Sequence, residues 1–244
     1  MNALAPARGP VGGFSASPCG GVRGAVAGAD VLMRPSGALW IAAEAVLVVA
    51  DLHLEKGSAF AAKGQLLPPY DTGETLGRLA AEIDQLSPRT VVLLGDTLHD
   101  GRAEGRIAAV DAERLAALAR GLTLVWIVGN HDADGPRRLP GEVADEQSVC
   151  GLTLRHEPQA GPQPGEAAGH LHPCARVMGP GRTVRRRCFI TDGERVILPA
   201  FGAYAGGLNV RDAAFSGMFA RTPLAVALGT NRAHAVTWAR LAGE

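Results

Sequence analysis

The amino-acid sequence predicts an α/β protein in which a mainly parallel sheet with helices on its faces packs against a second, more antiparallel sheet. Apolar runs alternate with segments of helical periodicity between residues 38 and 128. Three of these runs end in polar clusters that contain Asp or His. From residue 152 onward, the chain carries short apolar runs with short connections, which are typical of antiparallel pairing.

The length and composition favour one large domain. The chain has 244 residues, of which 47% are hydrophobic and 5% are aromatic, so aliphatic side chains must fill the core. Residues 1–30 are rich in Gly, Ala, Pro and Ser, and we predict that they form a mobile extension. A genuine early strand within this segment is the alternative. The domain itself is expected to cover residues 31–244.

The first half of this domain is predicted to alternate strands and helices. Asp71 and Glu74 resemble a capping box at the start of a helix that ends at Ser87-Pro88. The other predicted elements are strands over Ala38–Ile41, Ala45–Ala50, Thr90–Leu94 and Leu122–Val128, and a helix from about Glu104 to Arg120. Strand–helix–strand connections imply parallel pairing, so the polar clusters that follow these strands should meet at one edge of the sheet.

The second half is predicted to form the second sheet. Its strand segments are Leu152–Arg155, Ala167–Leu171, Arg182–Ile190 and Arg195–Leu198. Asp192-Gly193 between the last two is a hairpin signal.

Charge, cysteine content and hydropathy exclude some classes of protein. Lys+Arg and Asp+Glu both number 24, so no overall charge attracts a polyanion. No run of 18 apolar residues is present, which predicts that the chain neither spans nor binds a membrane. The four cysteines have no C-x-x-C spacing, and the N-terminus does not read as a signal peptide. Reduced thiols and a cytoplasmic location are the simplest interpretation.

Side chains that can bind metal ions follow the predicted strands. They are Asp51, His53, Asp96, Asn130, His131, His156, His170 and His172. In an extended D-x-H or H-x-H segment, the outer two side chains point to the same side. Carboxylate, imidazole and amide ligands suit Mn, Fe or Zn, and seven ligands, without His131, exceed the needs of one tetrahedral ion. A lone His beside a strand is usually structural, but these motifs together indicate a two-metal site.

In this order, the motifs resemble those of the calcineurin-like metallophosphoesterase superfamily. Longer segments are similar to the ligase-associated DNA damage response endonuclease family, often called PdeM; they include ADLHLEKGSAFAAKGQLLPPYDT, LLGDTLHD, GNHD, LRHEP, GHLHPCARV and LPAFGAYAGGLNV. This resemblance covers residues 30 to 220 and implies a four-layer α/β/β/α sandwich with two packed mixed sheets.

The resemblance also implies roles for individual residues. One ion would be bound by Asp51, His53, Asp96 and His172, and the other by Asp96, Asn130, His156 and His170. Both would be divalent, with Mn²⁺ favoured over Fe or Zn. His131 would be the catalytic imidazole beside the leaving group, oriented by Asp132.

Two positions depart from the superfamily pattern. Many members carry Asp three residues after the bridging Asp, where this chain has His99. His99 is therefore expected to contact substrate or support a ligand. His156 lies in RHEP, where many relatives have Gly beside the His, and this weakens its assignment.

Basic side chains are the candidates for substrate binding. Arg185 and Arg187 share one face of a predicted strand and either contact substrate phosphates or form a solvated strand edge. Lys56, beside the first metal motif, either meets phosphate or is an ordinary surface lysine.

Three functions remain open from the sequence. The resemblance implies a phosphodiesterase or endonuclease that cleaves DNA in damage response or repair by attack of a metal-bound hydroxide, with an ATP-dependent DNA ligase complex as a partner. A small-molecule phosphodiesterase acting on cyclic nucleotides or nucleotide pyrophosphates would use the same centre. A non-catalytic scaffold of a repair complex with a structural metal site is the third.

Overall fold

The structure is a computed structural model that describes residues 12–65 and 67–243. Within these residues, the first sheet has eight strands whose spatial order follows the chain. They are β1 (Ser15–Ala16), β2 (Val22–Val26), β3 (Ala29–Met33), β4 (Leu39–Ile41), β5 (Val46–Ala50), β6 (Thr90–Leu94), β7 (Thr123–Ile127) and β8 (Glu142–Ala144). The strands from β1 to β5 pair antiparallel, and those from β5 to β8 pair parallel.

Four α-helices lie among the described residues, and they follow β5 and β6. They are α1 (Lys56–Ala61), α2 (Asp71–Leu86), α3 (Ala103–Arg106) and α4 (Ala109–Leu118). Leu76 and Leu79 of α2 and Leu115 of α4 are fully buried in one apolar cluster with Leu47 of β5 and Leu93 of β6. The helices therefore cover one face of the first sheet.

Two features of these helices differ from the sequence prediction. The capping box at Asp71 is wrong, because Asp71 is the first residue of α2 and its Oδ2 accepts the backbone N–H of Gly57 in α1 at 3.0 Å. The prediction of a single helix from Glu104 to Arg120 is also wrong. Ile107 and Ala108 have ψ angles of 129° and 143°, so the backbone is extended between α3 and α4.

The second sheet has nine strands within the described residues. They are β9 (Glu146–Val149), β10 (Leu152–Arg155), β11 (Glu166–Ala168), β12 (Cys174–Gly179), β13 (Arg182–Thr191), β14 (Val196–Ile197), β15 (Leu224–Leu228), β16 (Ala233–Thr237) and β17 (Leu241–Ala242). Their order is β16-β15-β13-β14-β11-β10-β9, with β12 between β13 and β17. Ile190 pairs with Ile197 across the Asp192-Gly193 turn, which confirms the predicted hairpin.

Three apolar clusters pack the layers against one another and confirm the α/β/β/α arrangement. The largest contains Val48, Leu94, Phe189 and Val226, and it fills the space between the two sheets. A third cluster covers the outer face of the second sheet, where Phe215 packs on the strands. This outer layer is thin, because the helices near it are 3-10 turns at Ala213–Phe215 and Trp238–Arg240.

Regular structure begins earlier than Val31, where the sequence analysis expected it. Strands β1 and β2 and the start of β3 lie within the segment predicted to be a mobile extension, and Phe14 and Val22 are buried. A Cβ at Gly24 would lie 2.1 Å from the Phe14 ring, so this glycine allows the aromatic side chain to lie against the strand. The part of the predicted extension before residue 12 lies outside the described residues.

The described residues give two further findings. All four cysteines are free thiols. No helix in the described ranges combines the length and the apolar character that crossing a bilayer requires.

Candidate metal centre

The predicted ligands lie at the carboxyl ends of the parallel strands. Asp51 follows β5 directly, while Asp96 and Asn130 lie in the loops after β6 and β7. Because β5, β6 and β7 are parallel neighbours, these loops meet at one edge of the first sheet. The loops after β10 and β11 bring His156 and His170 of the second sheet to the same edge.

The backbone is strained at five of these ligands. The φ angle is positive at each of them: 53° at Asp51, 46° at His53, 45° at Asp96, 67° at His170 and 47° at His172. This left-handed conformation costs non-glycine residues roughly 1–3 kcal/mol each and concentrates at functional sites. The expectation that D-x-H and H-x-H are extended is therefore wrong. For the same reason β11 ends at Ala168 rather than at Leu171.

Hydrogen bonds between neighbouring loops stabilise this conformation. The backbone N–H of His53 donates to the carbonyl of Asp96 at 2.9 Å, and that of Leu54 donates to Thr97 at 2.8 Å. The N–H of His170 donates to Oδ2 of Asp51 at 3.0 Å. The motif after β5 is thus bonded both to the loop after β6 and to the second sheet.

Asp51, His53 and His172 form the first group of convergent side chains. The Nε2 atoms of His53 and His172 are 3.3 Å apart, and Nε2 of His172 is 3.2 Å from Oδ1 of Asp51. Burial, together with the neighbouring imidazole of His172, lowers the pKa of His53 to about 2. Its ring is therefore neutral at physiological pH, which is the form that binds metal ions.

Asp96, His156 and His170 form the second group, and Asn130 adjoins it. Nε2 of His156 lies 3.4 Å from Oδ1 of Asp96, 3.1 Å from Nδ1 of His170 and 3.0 Å from Oδ1 of Asn130. Nδ1 of His156 is 3.7 Å from Oδ1 of Asp51, so the two groups adjoin each other. In each group the ligand atoms lie within 4.8 Å of one another.

These residues fit a pair of divalent cations. Within each group, imidazole nitrogens lie within 3.3 Å of each other and beside a carboxylate oxygen. One proton can bridge only one such pair of nitrogens, whereas a cation can accept every lone pair at once. Nδ1 of His53 is buried without a hydrogen-bond partner among the described residues, so its orientation is not set by such a bond. The donor set matches the preferences of Mn, Fe and Zn.

Close packing of the loops depends on Gly129, just before Asn130. A Cβ at this position would lie 2.3 Å from both the backbone nitrogen and Oδ1 of Asp96. Glycine at this position therefore lets the backbone approach the Asp96 ligand closely.

His131 lies at the exposed border of the centre. Its Nδ1 is 2.7 Å from the backbone carbonyl of His99, so Nδ1 carries the proton and donates. Its Nε2 is 3.9 Å from Oδ2 of Asp96, and its side chain is 41% exposed. The ring is thus oriented by the loop after β6 and presents Nε2 to solvent and to the metal site.

The prediction that Asp132 orients the His131 ring is wrong. Asp132 is buried, and its carboxylate accepts three backbone N–H groups: Thr97 at 2.8 Å, Leu98 at 3.0 Å and Gly129 at 2.9 Å. These bonds use the carboxylate to join the loops after β6 and β7. Burial raises the pKa of Asp132, and the same three bonds oppose that shift.

The structure places His99 and Lys56 beside the metal ligands. The His99 ring is stacked on that of His131 at 5.6 Å between centroids and forms an edge contact with His53. Lys56 is the first residue of α1 and is half-buried. Burial lowers the pKa of both His53 and His99, and the charge of Lys56 lowers it further. The predicted contact of both side chains with a substrate phosphate stays a prediction.

Arg185 and Arg187 share a face of β13, as predicted, but their side chains contact backbone carbonyls. Arg187 is half-buried, and its Nη1 donates to Ala200 at 2.8 Å and to Gly202 at 3.4 Å. Arg185 is exposed and donates to the carbonyl of Gly207. These bonds join Arg187 to the segment after β14, which is itself hydrogen-bonded to Ala50 and Asp51. They favour a structural role for Arg187, and its phosphate contact stays a prediction.

Sequence reasoning missed Glu55, which is buried two residues after His53. Its Oε1 accepts the hydroxyl of Thr72 at 2.9 Å, its Oε2 accepts that of Ser58 at 2.6 Å, and its backbone N–H donates to Thr72 at 2.9 Å. This network joins the first metal loop to α2. The available signal was an acidic residue next to a metal motif in an otherwise apolar context.

Comparison with known proteins agrees with this site. The family model for calcineurin-like phosphoesterases matches residues 45–173, which is more than half of the chain. No curated protein matches the chain.

Several solved structures are similar to the chain, among them a nuclease and a phosphoesterase. Pseudomonas putida nuclease MPE is 26% identical with a TM-score of 0.67, and the match covers 88% of this chain and 100% of that chain. The E. coli phosphoesterase Yfce is 18% identical with a TM-score of 0.40 over 79% of this chain and 98% of that chain. From the family match and the convergent His and Asp side chains, the chain belongs to the calcineurin-like phosphoesterase family, whose members are metal-dependent phosphoric ester hydrolases with a two-metal centre.

Proposed function

We propose that this protein is a phosphodiesterase that cleaves the backbone of DNA. The observation that carries the proposal is the convergence of five imidazoles and two carboxylates at one edge of the first sheet. The similarity to the Pseudomonas nuclease, over most of this chain and all of that one, supports a nucleic-acid substrate.

Two divalent ions, with Mn²⁺ favoured, would be bound at this edge. Asp51, His53, Asp96 and His172 would hold one, and Asp96, Asn130, His156 and His170 the other. When bound, such ions neutralise phosphate charge and lower the pKa of water. Asp96 would be shared by both ions, as the motif resemblance implies, and its Oδ1 lies 3.4 Å from Nε2 of His156.

His131 would protonate the leaving oxygen of the cleaved ester. The Nδ1–H bond to the His99 carbonyl leaves Nε2 directed to the exposed side of the centre. A protonated Nε2 can donate to an oxygen that develops negative charge. Asp132 contributes by fixing the backbone of this loop, and Lys56 and His99 by attracting and positioning the phosphate.

A panel of substrates tests this function. Protein loaded with Mn²⁺ is assayed on single-stranded DNA, duplex DNA, 2′,3′-cyclic nucleotides and bis(p-nitrophenyl) phosphate. We expect DNA to be cleaved, and Asp96→Asn and His131→Ala to reduce turnover by about two orders of magnitude or more. Asp84→Asn and His234→Ala are matched controls that lie outside the centre, and they should keep full activity.

The other outcomes identify the alternatives. Turnover of cyclic nucleotides without cleavage of DNA would replace the proposal with a small-molecule phosphodiesterase. Metal binding without turnover of any phosphodiester would indicate the scaffold.

We further propose, from the motif resemblance, a cytoplasmic role in DNA damage response with an ATP-dependent DNA ligase as partner. Co-purification of the two proteins at physiological salt tests the partnership, and separate elution would contradict it.

A further inference from the structure

An open cavity of 530 Å³ begins at the metal centre and extends between the loops after β6 and β7. Asn130 and His131 line its inner end, and Arg102, Arg137 and Arg138 line it farther out. We propose that this cavity binds the phosphate backbone of a nucleic-acid strand on the leaving-group side of the cleaved bond. The inference rests on the proposed function, because His131 defines that side.

The arginines of this cavity are available to a ligand. The guanidinium groups of Arg102 and Arg138 are exposed and form no ion pair or hydrogen bond with any described residue. Arg137 is 3.4 Å from Asp134, but both side chains are more than three-quarters exposed, so this pair is weak. Exposed guanidinium groups bind phosphate oxygens readily, often with two N–H groups.

The lining also contains three acidic groups, and two of them, Glu104 and Asp132, are bound to backbone N–H groups and form no ion pair with Arg102 or Arg138. Oε1 of Glu104 accepts the backbone N–H groups of Arg138 at 2.6 Å and of Leu139 at 2.9 Å, and that of Arg137 lies 3.1 Å away. This carboxylate is therefore used to fix the loop that carries the arginines. Asp132 is also occupied by backbone N–H groups, which leaves Asp134 as the exposed acid.

The lining identifies the class of ligand. A volume of 530 Å³ falls within the range of about 300–1,000 Å³ that is usual for ligand sites. No Phe, Tyr or Trp side chain lies among the described lining residues, so beyond His131 at the inner end bases have no aromatic ring on which to stack. Binding through phosphates predicts a strand held without sequence preference and with strong dependence on salt. A small diester without a second phosphate cannot use these arginines.

The double variant Arg102→Gln plus Arg138→Gln tests the inference. Its matched control is Arg89→Gln plus Arg120→Gln, which removes two exposed arginines near the opposite ends of β6 and β7. Binding of a fluorescent single-stranded oligonucleotide is measured by anisotropy in the presence of chelator, from 50 mM to 300 mM salt. Turnover of the oligonucleotide and of bis(p-nitrophenyl) phosphate is measured with Mn²⁺.

We expect the double variant to lower the slope of log K against log salt by about 1.4, since each phosphate contact to a single strand contributes about 0.7. The same two contacts correspond to an affinity about 25-fold weaker at 0.1 M salt, extrapolated from a 1 M reference. The control should match the parent protein in both assays, and turnover of the small diester should be unchanged in all variants.

The remaining outcomes overturn the inference or separate it from the proposed function. An unchanged salt slope, or an equal loss of turnover on both substrates, would overturn it. If the parent protein cleaved no phosphodiester, the proposed function would fail, while the chelator experiment would still show whether Arg102 and Arg138 bind the strand.

Discussion

Replacing Asp132 by Asn tests whether this carboxylate joins the loops after β6 and β7. Asp132 is 5% exposed and accepts the backbone N–H groups of Thr97, Leu98 and Gly129. The Asn oxygen can keep the two bonds to Thr97 and Leu98. Its NH₂ group then faces the N–H of Gly129, so one buried donor loses its acceptor and the other two bonds lose their charge.

The expected loss of stability follows from these three bonds. A buried donor without a partner costs about 1–3 kcal/mol, and each charged bond weakens by about 1 kcal/mol when its acceptor becomes neutral. The sum is about 3–5 kcal/mol in the free energy of unfolding. Burial raises the pKa of Asp132, so desolvation offsets part of the gain from the three bonds. We therefore expect a value near the lower end, about 3 kcal/mol.

Urea denaturation of the metal-free protein measures this loss, with the fluorescence of the buried Trp126 as the signal. Asp134→Asn is the matched control, because Asp134 is exposed in the same loop, and it should change stability by less than about 0.5 kcal/mol. A loss below about 1 kcal/mol for Asp132→Asn would refute the reasoning, since the three bonds would then not support the loops.

Three further predictions follow from the site. Gly129→Ala should weaken Mn²⁺ binding about 10–100-fold in calorimetry, because a Cβ would lie 2.3 Å from Asp96, whereas Gly105→Ala, which meets open space, should not. The pKa of His53 is about 2 in the folded protein, so the unfolded state binds more protons below pH 6.5 and stability falls as pH drops through that value. Metal-free His53→Asn should therefore lose about 2 kcal/mol less than the parent between pH 7 and pH 5 in urea denaturation, and an equal loss would contradict this. Arg187→Gln should lower the thermal midpoint more than Arg185→Gln, because Arg187 is half-buried and donates to two carbonyls while Arg185 is exposed; equal effects would contradict its structural role.

The sequence predicted the elements that carry strong periodicity. The apolar runs before Asp51 and Asp96 are strands β5 and β6, and the helical spacing after Asp71 is α2. These elements determine which side chains reach the carboxyl edge of the sheet, because parallel neighbours end together. The convergence of the polar clusters could therefore be predicted from strand order alone.

Features that depend on contacts between distant segments could not be predicted. Strand β2 lies in a Gly-rich segment with little apolar periodicity, and its Gly24 packs against the ring of Phe14. The three partners of Asp132 are backbone groups, which leave no trace in residue identity. Arg187 likewise donates to backbone carbonyls, and its charge alone did not indicate these partners.

Buried hydrogen bonds around the centre hold the strained backbone of the metal ligands in place. Five left-handed ligands would relax to ordinary conformations if the neighbouring loops allowed it. The bonds from His53 to Asp96, from Glu55 to Thr72 and from Asp132 to the loop after β6 prevent this relaxation. In each group the ligand atoms lie within 4.8 Å of one another, and the hydrogen-bonded loops hold them in that arrangement. The buried carboxylates of Glu55 and Asp132 thus contribute to the centre by fixing its ligands in place, and they do so without contacting the His131 ring.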